Sequence, residues 1–149
     1  MKRPAPSRRD AYFYFTAITT RWGDNDAYGH VNNTIYHAWF DTAVNRFLIE
    51  HGLLDVVDSQ VIGVVAENGC RYYEQIAYPD DVTVGLRVEH LGRSSVRYAI
   101  GVFRGGQSVA SADGHLVHVY VDRVSMRPVP IPDASRVEMA RIQPPPQAT

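Results

Sequence analysis

One segment at helical spacing stands ahead of four successive segments at strand spacing, and this order limits the chain to an antiparallel sheet with a single long helix available to cover one face. From Ile35 to Glu50 the apolar residues Ile35, Tyr36, Trp39, Phe40, Ala43, Phe47 and Leu48 recur at one-sided helical intervals, while Asp41, Asn45, Arg46 and Glu50 fall on the opposite side. Gly52 supplies the stop. Beyond it, Val61 to Gln75, Val82 to His90, Ser94 to Arg104 and Ser108 to Val121 read as strands, punctuated by Pro79-Asp80-Asp81, Leu91-Gly92-Arg93 and Gly105-Gly106. Alternation is clearest in Val82, Val84, Leu86 and Val88 and again in Val96, Tyr98, Ile100 and Val102, so each of these strands has one face for a core. Phe13 to Thr20 reads as a first strand, Arg21 to Asn33 as a polar loop, and Asp133 to Ile142 as a candidate short helix. The expected class is α+β, a long central helix wrapped by a curved antiparallel sheet.

A chain of 149 residues that is 45% hydrophobic can build one ordinary core, expected over 12–142. Residues 1–11, with Lys2, Arg3, Arg8 and Arg9 among Pro4 and Pro6, are expected as a flexible tail, and 143–149, with Pro144-Pro145-Pro146, as a Pro-rich one. A formal net charge of −1 gives no overall basic field, so nucleic acid is not an expected partner. No stretch approaches the roughly 20 apolar residues of a membrane span, and no leader-like apolar run follows the basic opening. Cys70 is the single cysteine, which excludes an intrachain disulfide and favours a reducing, cytoplasmic setting.

The chemistry concentrates in Asp24-Asn25-Asp26-Ala27-Tyr28-Gly29-His30-Val31-Asn32-Asn33, immediately ahead of the helix. Hydrolysis of an activated acyl group calls for these parts: a carboxylate, a polarising donor and a positioned water. Asn32 suits a helix N-cap, and Asp24 suits a turn carboxylate. His115 and His118, three apart on a strand, fall on opposite faces and do not share a metal. His37, His51 and Cys70 carry no expected chemistry, and no glycine-rich phosphate cradle occurs.

These residues carry a family resemblance. Arg21-Trp22-Gly23-Asp24-Asn25-Asp26, then Gly29-His30-Val31-Asn32-Asn33 and an aromatic-rich helix, resembles acyl-CoA thioesterases of the 4-hydroxybenzoyl-CoA thioesterase type, which have the hotdog fold. Tyr78-Pro79-Asp80-Asp81, the turn Leu91-Gly92-Arg93-Ser94-Ser95 and His118-Val119-Tyr120-Val121-Asp122 are similar to that family's later strands. The resemblance implies that Asp26 is the catalytic carboxylate, as nucleophile or as general base, that the Asn33 backbone N–H receives the thioester carbonyl, and that His30 supports the reaction. It implies no metal and no bound cofactor. Plant acyl-carrier-protein thioesterases carry an asparagine at the position of Tyr28, where this chain departs from them, and Asn32 or Asn33 is the substitute for that amide.

Substrate contacts are expected from Asn32 and Tyr28, from Glu67 on a facing wall, and from Arg93 or Arg97 beside Ser94 and Ser95 toward coenzyme A. The acyl group is left open, its pocket depth depending on which of Trp39, Phe40, Tyr72 and Tyr73 point inward. The same resemblance implies a homodimer or homotetramer, with Asp26 from one chain and the Glu67 to Arg71 region of another forming the site. A hotdog hydratase or dehydratase and a non-catalytic acyl-CoA-binding protein are the other readings.

Overall fold

A computed structural model describes residues 3–146; residues 1–2 and 147–149, the outermost parts of the two expected tails, lie outside the described residues. The elements are β1 (Tyr14–Thr19), α1 (Asn33–Glu50), β2 (Val61–Tyr72), β3 (Asp81–Leu91), β4 (Ser95–Arg104), β5 (Ala112–Asp122) and α2 (Asp133–Arg141), with 3-10 turns at Arg9–Ala11 and Trp22–Asp24. The strands form one antiparallel sheet in the order β1-β3-β4-β5-β2. Helix α1 lies across one face, and the sheet wraps it: this is the hotdog arrangement.

The packing follows from the two periodicities. Val84, Leu86 and Val88 of β3 and Val96, Tyr98, Ile100 and Val102 of β4 are buried in one cluster with Tyr36, Trp39, Phe40, Ala43, Val44, Phe47 and Leu48 of α1. An α-helix of 18 residues is about 27 Å long, enough to run the length of the strands it covers. Its end is closed where Gly52 takes φ +69° and the Leu53 N–H turns back to the Leu48 carbonyl at 2.8 Å.

Two strand ends differ from expectation by more than one residue, each for a local reason. β2 stops at Tyr72 rather than Gln75 because the Tyr73 and Glu74 amides both donate to the Ser111 carbonyl, which swings the chain out of the ladder. β5 begins at Ala112 rather than Ser108 because the Ser108 carbonyl and Ala110 amide are engaged by Arg9 and Ser7.

That second contact belongs to the described part of the opening segment, which makes further contacts with the sheet. Arg8 bridges Val109, the Ser7 amide donates to Asp113, and the Arg9 guanidinium donates to the carbonyls of Gly105 and Gln107. Tyr12, buried with Ala99, Phe103 and Ala110, anchors this strap to the sheet face opposite α1. A Cβ at Gly101 would stand 2.6 Å from the Tyr12 ring, so the strap seats against the sheet only where the strand has no side chain.

Candidate active site

The loop between β1 and α1 is built around Asp24, which is only 1% exposed. Its carboxylate accepts the Arg21 backbone N–H at 2.8 Å and two guanidinium N–H groups at 2.9 and 3.0 Å, while its carbonyl accepts the Asn32 amide at 2.9 Å. Asn25 pairs with Val31, and its Oδ1 accepts the Tyr78 amide at 3.0 Å. The ends of the loop are thereby drawn together.

Between them the chain reverses over Asp26 to Gly29. Gly29 takes φ +85° and donates to the Asp26 carbonyl at 3.0 Å, and the Asp26 amide donates to the His30 carbonyl at 2.9 Å. Asp26 Oδ1 accepts the Tyr28 amide at 2.9 Å. Asp26 Oδ2 has no hydrogen-bond partner among the described residues.

The helix start leaves a matching donor. Asn32 Oδ1 accepts both the backbone N–H and the hydroxyl of Thr34 at 2.9 Å, and the Asn32 carbonyl accepts the Ile35 amide at 3.0 Å. The Asn33 N–H has no acceptor among the described residues. Asp26 and Asn33 line one cavity of about 280 Å³ with Val31, Tyr36, Tyr72, Tyr73, Glu74 and Gln75. The unpaired Asn33 amide stands at the positive end of α1, and Asp26 is on the wall of the same cavity.

The cavity's other carboxylate, Glu74, is paired with Arg104 at 3.2 Å. Burial pushes the Tyr36 phenol up to about 12 and the nearby Cys70 thiol up to about 11, so both remain protonated near neutrality. Among the described residues, no three His, Cys, Asp or Glu side chains converge into a metal-binding group.

The residues singled out from sequence divide. Asp26 and Asn33 share the cavity, and Tyr72 and Tyr73 join them, whereas Trp39 and Phe40 pack in the core. Asn32 is the N-cap. The Tyr28 ring is 88% exposed and its backbone amide, not its phenol, reaches Asp26. His30 is exposed, and its carbonyl is what bonds to Asp26.

Glu67 lies elsewhere in the protomer. Its carboxylate meets His115 Nε2 at 3.0 Å and Arg97 Nη1 at 3.3 Å on the sheet face opposite α1. His118, on the other face of the same strand as His115, is 2% exposed beneath the helix. Arg93 and Ser94 sit in the β3–β4 turn, where Ser95 pairs with Val119, itself opposite Val64 near the start of β2. The Asp26 cavity is at the other end of β2, where the Tyr72 hydroxyl reaches Asn33. Eight residues of strand separate Val64 from Tyr72, about 27 Å. Tyr36, Glu74 and Gln75 were not anticipated; the aromatic at the first turn of α1 was the available signal for Tyr36, and only the chain's exit from β2 brings in the other two.

The thioesterase-like superfamily model matches residues 20–139. The chain is 49% identical to the PA5185 protein of Pseudomonas aeruginosa strain PAO1, whose crystal structure superposes with a TM-score of 0.92 over 97% of this chain and 100% of that one. It is 30% identical to a predicted thioesterase from Bacillus stearothermophilus, with a TM-score of 0.77 over 90% of this chain and 98% of that one. The fold is shared with BH1999 gentisyl-coenzyme A thioesterase, 24% identical, with a TM-score of 0.75 over 85% of this chain and 99% of that one. A curated relative, the uncharacterised protein YsmA of Bacillus subtilis (strain 168), is 20% identical over 93 residues, which span 62% of this chain and 63% of that protein.

Proposed function

The chain belongs to the thioesterase-like superfamily, and from that premise we propose that it hydrolyses an acyl-CoA thioester to the free acid and coenzyme A. The observation that carries this reading is the meeting, in one cavity, of a carboxylate oxygen and a helix-end amide that the fold leaves unpaired. The thioester carbonyl oxygen accepts the Asn33 N–H, and the positive end of α1 stabilises the charge that develops on it. Asp26 Oδ2 takes a proton from water as that water attacks the carbonyl carbon, or attacks the carbon itself to form an anhydride that water then opens. In either course the C–S bond breaks, the acyl carbon gains a hydroxyl oxygen from water, and the thiolate leaves as coenzyme A after taking a proton. The Asn32 cap and the Asp24–Arg21 cluster hold the two reacting groups in register and touch no substrate.

Arg93 and Ser94 enter this scheme through a second copy. Within one protomer they lie at the wrong end of β2, but β2 is an edge strand, and antiparallel pairing of two β2 edges brings the partner's Arg93 alongside the Asp26 cavity. A homodimer, alone or doubled into a tetramer, is therefore part of the proposed function, with the partner's Arg93 and the partner's Ser94 toward the coenzyme A phosphates. The single Cys70, half-buried and held as a thiol, suits a reducing cytoplasmic compartment.

A thiol-release screen over short, long, branched and aryl acyl-CoA thioesters tests the reaction. Turnover of at least one class is expected, and a well-folded protein that releases thiol from none contradicts the proposal.

A further inference from the structure

We infer that Tyr72 is a positioning residue for this reaction: its hydroxyl clamps the first turn of α1 and so fixes the direction of the Asn33 amide. The inference rests on the thioesterase reading above.

Tyr72 is the last residue of β2, and its phenol O–H donates to the Asn33 carbonyl at 3.2 Å, across 39 residues of sequence. Its ring stands edge-on to Tyr36, with centroids 5.0 Å apart and planes at 87°, and lines the cavity that holds Asp26 and Asn33. The residue is therefore held by packing from one side and by a polar contact at its tip.

The contact falls where the helix is least constrained by itself. Asn33 opens α1, and its own amide is the donor left unpaired there. On its N-terminal side the Asn32 amide is tied to the Asp24 carbonyl, and on its C-terminal side the Asn33 carbonyl is tied to Tyr72. Asn33 is thus gripped by both flanking peptide groups, one from the loop and one from the sheet, and its N–H is aimed without forming a bond of its own. Preorganisation of this kind acts on the transition state more than on the bound substrate, because a pre-aimed donor needs no reorganisation when charge develops. Burial, the neighbouring Cys70 and Tyr36 all push the Tyr72 phenol upward, so it keeps its proton and remains a donor near neutrality.

Phenylalanine keeps the ring and its packing against Tyr36 and removes only the clamp. Using the acyl-CoA that the wild-type protein hydrolyses fastest, Tyr72→Phe is expected to lower kcat about tenfold, with KM within about twofold and the protein still cooperatively folded. Tyr14→Phe, which removes a phenol hydrogen bond to Glu50 at the far end of the same helix, is the control and retains kcat. Wild-type turnover with Tyr72→Phe kcat also intact overturns the inference alone. A rise in KM at constant kcat overturns it as well, because it assigns the phenol to substrate grip. Absence of turnover in the wild-type protein removes the thioesterase reading and this inference with it.

Discussion

Asp24 and Asp26 are chemically identical and two positions apart, yet the fold gives them opposite roles. Asp24 spends every bond it can make on Arg21 and the loop, whereas Asp26 keeps one oxygen free over the cavity. The motif singled out both carboxylates, but nothing in the order of residues says which of them Arg21 wraps around. His118 shows the same dependence on surroundings. Its imidazole lies under α1, edge-on to Tyr98, and burial lowers its pKa from 6.5 to about 4 against a smaller opposing pull from Asp41. Above pH 6.5 the ring is neutral in folded and unfolded chains alike and has no effect on stability. As pH falls from 6.5 toward 4, only the unfolded chain takes up the proton, so stability declines by up to about 3 kcal/mol. Denaturant unfolding at a series of pH values should show this decline, and His118→Phe should flatten it; an equal slope in both proteins contradicts the assignment.

Helix α1 was the most readable element, because its apolar residues and its cap both act locally: Asn32 satisfies Thr34 whatever the rest of the chain does. Asn32→Ala should cost about 1 kcal/mol of stability by urea denaturation, and a midpoint equal to that of the wild-type protein would show that the cap is not needed. The strands were readable as strands from alternation in Val82 to Val88 and Val96 to Val102, but the order β1-β3-β4-β5-β2 was not, since β1 pairs across the chain with Val82 to Leu86. The contacts of the opening segment were not readable, for a related reason. Its prolines and arginines suit a solvated tail, and only the bare surface at Gly101, with Ser108 to Ala110 turned away from β5, gives Tyr12 and Ser7 somewhere to bind. Tyr72 belongs to the same class: its partner Asn33 is distant in sequence, and the spacing of aromatics alone did not mark one tyrosine of the Tyr72-Tyr73 pair above the other.

A single protomer offers a carboxylate, an amide and an aromatic-lined cavity at one end of β2, and places Arg93 and Ser94 at the other. On the proposed scheme a second copy completes the site. Sedimentation equilibrium at micromolar concentration should return at least twice the 16.7 kDa chain mass, and a monomer would remove the partner's contribution from the scheme. Glu67, expected on a wall supplied by the other chain, meets His115 and Arg97 within its own, contacts that strand alternation could not supply because a register shift falls between Val65 and Glu67. The proposed reaction depends on one oxygen of Asp26. The decisive measurement is thiol release from the best acyl-CoA substrate by wild type and Asp26→Asn, with circular dichroism to establish that both are folded. The expected result is a fall in turnover of about a hundredfold or more with the fold intact; equal turnover by the two proteins would contradict the assignment of Asp26 and the chemistry built on it.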